Sequence, residues 1–324
     1  MDPANNSLEH WSTFWDQGYI TTFGDTKPHN YDGLIREFWE EKFLDLPRGS
    51  RVLDIAAGNG AIATIAAETS LKNGLDLFVA ATDLADIHAE LIGSDETKQA
   101  RTHIEFHSRT PCERQPFEAD TFDLVTSQFG FEYSDIEATL REVRRVLVPG
   151  GRFVAVSHHA ESQLINTAQA EREIYRVALD DLDLVGSSRR YFEKLGELPD
   201  EQASIDAVHK KFRPLAEEAN RRVHEFQTRC GDDERVKFIV GTLGYIARTA
   251  RRTTQQERLD ALDKAKSDLV RHRARLNDMV DAAMDQDQID ALKISAHEAG
   301  FESVHCLTLY ADDTALAGWQ IHLR

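Results

Sequence analysis

Residues 52–60, VLDIAAGNG, constrain this chain more than any other stretch: an apolar strand delivers an aspartate, Asp54, into a turn built on Gly58 and Gly60. The glycines let the chain reverse tightly and bring bare backbone up to a ligand, and the AIATIAAE that follows reads as a helix whose N-terminus faces the turn. Such a corner is either a plain strand-to-helix turn of an α/β fold or a nucleotide site. Asp54 bears on the second reading. A dinucleotide would lay its pyrophosphate against the turn's amides, where a carboxylate four residues before Gly58 repels it.

S-adenosylmethionine has no phosphate, and an aspartate ending the first strand helps to hold its ammonium and its positive sulfonium, directly or through water. In these residues the chain resembles the class I S-adenosylmethionine-dependent methyltransferases. Their first motif, D/E-x-G-x-G-x-G, is matched in register by Asp54, Gly58 and Gly60, with Ala56 in place of the first glycine. Alanine is expected to be tolerated there provided its backbone needs no positive φ.

A second apolar run, 75–83, ends in Asp83, about twenty residues past the glycines. By the resemblance Asp83, with Leu84 after it, holds the ribose hydroxyls; without it, Asp83 reads as a helix N-cap. A third strand over 103–108 leads into RTPCERQPFEADTFDLVTSQ, where Pro116, Phe117, Phe122 and Asp123 fit the family's pattern. The family's adenine-binding aspartate is replaced by Pro111, which leaves that contact to the backbone of Cys112 or the side chain of Glu113.

The fourth strand, FDLVTSQ, runs into FGFEYSD, where the methyl group would meet its acceptor. Ser127, Gln128 and Phe129 are expected at the cofactor and Glu132 at the chemistry. No Asn/Asp-Pro-Pro-Tyr run is present, which argues against amide or nucleobase nitrogens as acceptors. The next helix is expected to end at Pro149-Gly150-Gly151, a turn resembling that of the quinone-biosynthesis methyltransferases and equally a good helix stop. Beyond a fifth strand stand His158 and His159, only one of which can face the site in an extended segment. Each is either a base or a solvated or capping histidine. Methyl transfer from a sulfonium needs a base only for hydroxyls and similar acceptors. No spaced ligand cluster accompanies the histidines, so no metal is expected.

From 161 to 290 the sequence is almost wholly helix-forming, with breaks near Gly186-Ser187-Ser188, Leu198-Pro199-Asp200, Gly231-Asp232 and Thr253-Thr254; four or five helices fit. In the last of them Leu259, Leu262, Leu269, Leu276, Val280 and Ala283 recur at three and four residues. That stripe is a helical hairpin, a dimer seam or an amphipathic face packed on its own domain. Residues 291–324 read as a helix, a turn at Gly300 and two pairing strands. The N-terminal stretch 8–24 concentrates Trp11, Phe14, Trp15, Tyr19 and Phe23. These aromatics either cover cofactor and acceptor, with Tyr19 as the acceptor contact, or dock an N-terminal helix.

Composition narrows the partners. A formal charge of −18 over 324 residues argues against nucleic acid or an anionic membrane as substrate. Three unclustered cysteines, Cys112, Cys230 and Cys306, fit a reducing cytosol. No apolar span or leader is read in the chain.

The expectation is therefore an α/β, doubly wound, Rossmann-like fold: a mostly parallel seven-stranded sheet with an antiparallel last strand and a large helical insertion. It divides as 1–48 (aromatic cap), 49–160 (cofactor core), 161–290 (helical lid or dimer element) and 291–324 (closing helix and hairpin). The expected function is cytoplasmic methyl transfer from S-adenosyl-L-methionine to a small, partly apolar molecule, with a homodimer through the insertion. Candidate catalytic residues are Tyr19, Glu132, His158 and His159; candidate cofactor residues are Asp54, Ala56, Gly58, Gly60, Asp83, Leu84, Cys112, Glu113, Ser127, Gln128 and Phe129. The alternatives are an NAD-dependent oxidoreductase and a non-catalytic S-adenosylmethionine-binding protein.

Overall fold

Hydrophobic strands buried on both faces announce a central parallel sheet. A computed structural model describes residues 3–22, 29–87, 94–196, 202–310 and 315–324, so Phe23 and the Leu198-Pro199-Asp200 break fall outside the described residues. The chain forms two compact units, Met1–Asn166 with Asp278–Arg324, and Thr167–Asn277.

The chain runs α1 (Pro3–Trp15), α2 (Gly33–Leu44), β1 (Arg51–Ile55), α3 (Ala61–Asn73), β2 (Phe78–Thr82), α4 (Asp95–Arg101), β3 (Ile104–His107), β4 (Phe122–Gln128), a 3-10 turn (Phe131–Tyr133), α5 (Ile136–Val146) and β5 (Leu147–Ser157). Helices α6 (Gln163–Arg176), α7 (Leu184–Leu195), α8 (Gln202–Lys211), α9 (Arg213–Cys230), α10 (Glu234–Thr249) and α11 (Gln255–Ala282) follow, then α12 (Gln286–Glu298), β6 (Val304–Tyr310) and β7 (Leu316–Leu323).

The sheet order is β3-β2-β1-β4-β5-β7-β6, with β1 to β5 parallel and β7 antiparallel to both neighbours. The antiparallel finish read from the sequence is the one observed. Side chains alternate across the sheet as pleating dictates. Val52, Val79, Leu124 and Val154 pack with α2 and α3 residues on one face, and Leu53, Ile55, Val125 and Phe153 with α5 and α12 residues on the other. Each such fully buried side chain contributes on the order of 1.5–3 kcal/mol.

Caps set the helix ends. Asp135 accepts from Ala138 N at 3.0 Å at the start of α5, and Asp285 forms a capping box with Gln288 at the start of α12. Helix α5 stops at Val146, earlier than the Pro149-Gly150-Gly151 turn. Leu147 already pairs with Phe122, so the turn lies inside β5, beside a register shift between Phe122 and Leu124.

Among the described residues between β5 and α12 there are six α-helices, α6 to α11, where the sequence suggested four or five. The break foreseen at Gly186-Ser187-Ser188 lies instead at Asp183. That residue caps α7 from a left-handed conformation (φ 39°) and accepts from Gly186 N at 3.2 Å, while the hydroxyls of Ser187 and Ser188 donate back to Leu184 O. Gly-Ser-Ser is thus a first helical turn. Gly231 (φ 73°) does end α9. Along α11, Leu262, Leu269 and Leu276 are buried in the single chain, so this part of the stripe packs internally. Arg258 on the same helix is 1% exposed and donates to Ala250 O at 2.9 Å.

Candidate functional site

The glycine corner forms because three residues take positive φ where β1 meets α3: Ala56 (49°), Gly58 (53°) and Gly60 (78°). The condition attached to Ala56 in the sequence is therefore not met. An alanine sits in the left-handed region, at a cost on the order of 1 kcal/mol. Its β-carbon has room because Gly130 faces it: a β-carbon added to Gly130 would lie 2.6 Å from that of Ala56.

Asp54, the penultimate residue of β1, lies fully inside the molecule. Its carboxylate accepts from Ala63 N in the first turn of α3 (3.2 Å) and from the Thr126 hydroxyl on β4 (2.9 Å). Burial outweighs these bonds and pushes its pKa up to about 7, with the nearby Asp83 adding to the rise. Asp83, past the end of β2, accepts from Gly58 N and from Ala85 N, both at 2.7 Å. Burial pushes its pKa to about 6. One carboxylate thus staples the corner to the second strand.

Two adjoining cavities open on these residues. The larger, about 170 Å³, is lined by Asp83, Leu84, Pro111, Cys112, Glu113 and Tyr133 among others; the smaller, about 30 Å³, by Asp54, Gly58, Ile62, Tyr31, Thr21 and Gln128. Trp15, Thr22, Ala56 and Phe129 line both. Two buried polar atoms of the smaller cavity, Thr21 Oγ1 and Gln128 Nε2, have no hydrogen-bond partner among the described residues. The Gln128 amide is oriented from behind, since its Oε1 accepts from Trp39 Nε1 at 2.7 Å.

Helix α1 roofs the cleft. Asn59, between the two glycines, donates from Nδ2 to Trp15 O (2.9 Å) and Tyr19 O (2.8 Å), and its own carbonyl accepts from the buried Arg101 (2.8 Å). Asp86 N donates to Ser12 Oγ at 3.0 Å, and Asp278 Oδ2 takes both Trp11 Nε1 (3.0 Å) and His10 Nε2 (2.7 Å). Trp11 lies edge-on to Tyr133, their centroids 5.9 Å apart.

Of the expected cofactor residues, Asp54, Ala56, Gly58, Asp83, Leu84, Cys112, Glu113, Gln128 and Phe129 line one cavity or both. Gly60 and Ser127 line neither: Gly60 caps α3, and Ser127 Oγ accepts from Phe131 N at 3.1 Å. The four expected catalytic residues also lie outside the lining. Tyr19 packs on Phe14, centroids 5.2 Å apart. Glu132 is buried and accepts from His158 N at 2.9 Å; burial outweighs this and its other hydrogen bonds and pushes its pKa to about 7. His158 stacks flat on Phe129 (4.5 Å, 4°), and burial lowers its pKa to about 3. His159 turns away onto Trp319 (4.3 Å), with Nδ1 accepting from Glu161 N.

Asn59, Thr21, Tyr133 and Asp278 are the site's additions to the sequence reading, whereas Trp15, already among the aromatics read as a cover, does line both cavities. Asn59, between two positive-φ glycines, had a local signal; Asp278, 268 residues from His10, had none.

Residues 33–178 match the model of the ubiE/COQ5 methyltransferase family. The ubiquinone/menaquinone biosynthesis C-methyltransferase UbiE of Rickettsia prowazekii is 30% identical over 38% of this chain and 51% of its own length. That of Idiomarina loihiensis is 32% identical over 37% and 48%. The chain thus spans about half the length of these curated relatives. An S-adenosyl-L-methionine-dependent methyltransferase structure from Methanococcus maripaludis aligns with 99% of this chain and 90% of its own at 13% identity, with a TM-score of 0.40. It is in residues 33–178, the glycine corner among them, that the chain is similar to the ubiE/COQ5 methyltransferase family.

Proposed function

We propose that the protein transfers a methyl group from S-adenosyl-L-methionine to a small, partly apolar molecule. The observation that carries this reading is the smaller cavity. A buried carboxylate, Asp54, shares it with a free amide donor, Gln128 Nε2, and a free hydroxyl, Thr21 Oγ1. An amino-acid end, ammonium beside carboxylate, answers all three: the ammonium on Asp54, the carboxylate on Gln128 and Thr21. In the larger cavity, Asp83 retains lone pairs for two ribose hydroxyls after its two backbone bonds. Leu84, Pro111, Cys112 and Phe129 supply apolar walls for a purine, beside Glu113.

When bound, the cofactor supplies an activated methyl on a sulfonium. With it held by Asp54, Gln128 and Asp83, the acceptor would form its bond to that methyl as the carbon–sulfur bond broke, leaving S-adenosyl-L-homocysteine. The chain aligns the two and excludes water, the latter through Trp11 and Trp15 over the cleft. If the acceptor loses a proton, Glu132, which lines neither cavity but directly precedes the lining residue Tyr133, is the better base of the two buried candidates by pKa. Its pKa of about 7 suits proton transfer near neutrality, whereas His158, at about 3, holds a proton too weakly. Tyr133 lines the larger cavity and takes the acceptor-facing role first assigned to Tyr19.

The same reading places the protein in the cytoplasm, consistent with three free cysteines; among the described residues no helix is long and apolar enough to cross a membrane. A homodimer belongs to the proposal as well, and sedimentation velocity tests it. Titration calorimetry with S-adenosyl-L-methionine, S-adenosyl-L-homocysteine and NAD tests the function. Binding of the two sulfur nucleotides alone supports the reading, and binding of NAD, or of none, overturns it.

A further inference from the structure

On the other flank of the sheet, two strands removed from β1, a cavity of about 140 Å³ lies under the C-terminal half of α2. Its charged and titratable walls are Glu41, Lys42 and Asp45 from α2 and its end, Arg152 from β5, His305 from β6, and His322 and Arg324 from β7 and the residue after it. In a chain of formal charge −18, this concentration of basic groups stands out.

The disposition of the charges is asymmetric. Lys42 pairs with Glu41 at 2.9 Å, yet the lysine side chain is 20% exposed and the glutamate 75%. Arg152 pairs with Asp45 at 2.7 Å, with exposures of 32% and 67%. In each pair the cation is the more buried member and the carboxylate the more exposed, and pairs this exposed hold their partners weakly. Arg324 makes no ion pair among the described residues. His305 and His322 are cross-strand partners in register. The His322 ring lies edge-on to Phe38 at 6.1 Å, and Lys42 Nζ stands 4.9 Å above that same ring.

The geometry points to a binding site for a small oxyanion, of the phosphate class, between Lys42, Arg152 and His322. Guanidinium and ammonium groups lining one cavity match the tetrahedral array of acceptor oxygens. His322 reports the local potential. Its pKa is lowered by burial first, and then by Lys42, His305 and Arg152, with Glu41 opposing. An anion seated among these groups reverses that influence and raises the imidazole pKa. The site is independent of the methyl-transfer reading, since none of its residues lines either cavity at the glycine corner.

The test is titration of the full chain with inorganic phosphate in chloride buffer, by calorimetry and by NMR of the His322 ring. We expect saturable one-to-one binding that S-adenosyl-L-homocysteine does not displace, and an upward move of the His322 titration midpoint in the wild-type protein. Arg152→Met and Lys42→Met should each weaken phosphate binding roughly tenfold or more, in line with the loss of a charge-assisted bond, while circular dichroism and S-adenosyl-L-homocysteine affinity stay unchanged. The absence of saturable binding, equal affinity in folded variants, displacement by S-adenosyl-L-homocysteine, or an unmoved His322 midpoint would each overturn the assignment.

Discussion

Trp15 rests directly on Gly58: a β-carbon added to the glycine would lie 2.4 Å from the indole Cζ2. The roof and the floor of the cleft touch with no space for a methyl group. Gly58 also holds a positive φ of 53°. Gly58→Ala should therefore lose stability by about 1–3 kcal/mol, read from a denaturant midpoint, and should weaken S-adenosyl-L-homocysteine binding in calorimetry. Unchanged binding in this variant would remove Gly58 from the cofactor site.

Ala56 and Gly130 act as a complementary pair, a side chain on one and space on the other. Gly130→Ala alone is expected to cost about 2 kcal/mol or more through overpacking. Ala56→Gly alone relieves a left-handed alanine and should change stability by less than about 1 kcal/mol. Combined, the two should recover part of the Gly130→Ala loss, though the Ala56 carbonyl remains 2.8 Å from the added β-carbon. A double-mutant cycle with no coupling would refute the pairing.

Cofactor affinity should fall with acidity. Asp54 holds its proton up to about pH 7, and a protonated carboxyl cannot pair with an ammonium. S-adenosyl-L-homocysteine should bind more tightly at pH 8 than at pH 6, by up to about tenfold per pH unit below the pKa, and should release a proton on binding in calorimetry across buffers. In Asp54→Asn that pH dependence should shrink and affinity fall throughout.

Stability follows the same carboxyls with the opposite sense. The folded pKa values of Asp54, Asp83 and Glu132, about 7, 6 and 7, lie above the unfolded range of about 4. In that interval the folded chain binds more protons than the unfolded one, so these groups make the protein less stable as pH rises from about 4 to 7. Urea midpoints of the wild type and of Glu132→Gln should converge toward pH 4 and diverge toward pH 7, with the glutamine variant the more stable at the higher pH.

Asn59→Ala removes both bonds from the corner to the Trp15 and Tyr19 carbonyls. The loss should be about 1–3 kcal/mol, and it should show as faster hydrogen exchange across residues 8–20 with little change in the sheet. Uniform loosening of both regions would mean that Asn59 supports the fold and not the cap.

The sheet was legible because strands buried on both faces write themselves as apolar runs, and FDLVTSQ was bounded to the residue at Phe122–Gln128. The cofactor corner was legible because positive φ asks for glycine, and the one exception, Ala56, depends on a glycine 74 positions later that no local pattern links to it. Helix counting in the insertion went astray at Gly186-Ser187-Ser188, where propensity suggests a break but Asp183 and the serine hydroxyls satisfy the backbone of a first turn. His158 and His159 were visible as residue types only. Their orientation comes from Phe129 on one side and Trp319 on the other, which is tertiary information.

Asp83 carries a consequence for redesign. Because its two oxygens already hold the amides of Gly58 and Ala85, the residue that would read the sugar is also scaffolding for the turn. Swapping it for a residue that welcomes a phosphorylated ribose would leave two backbone donors stranded at the mouth of the cleft. Ligand preference at this corner is thereby locked to its architecture, and an engineer would have to restore the turn by other means before altering what it selects.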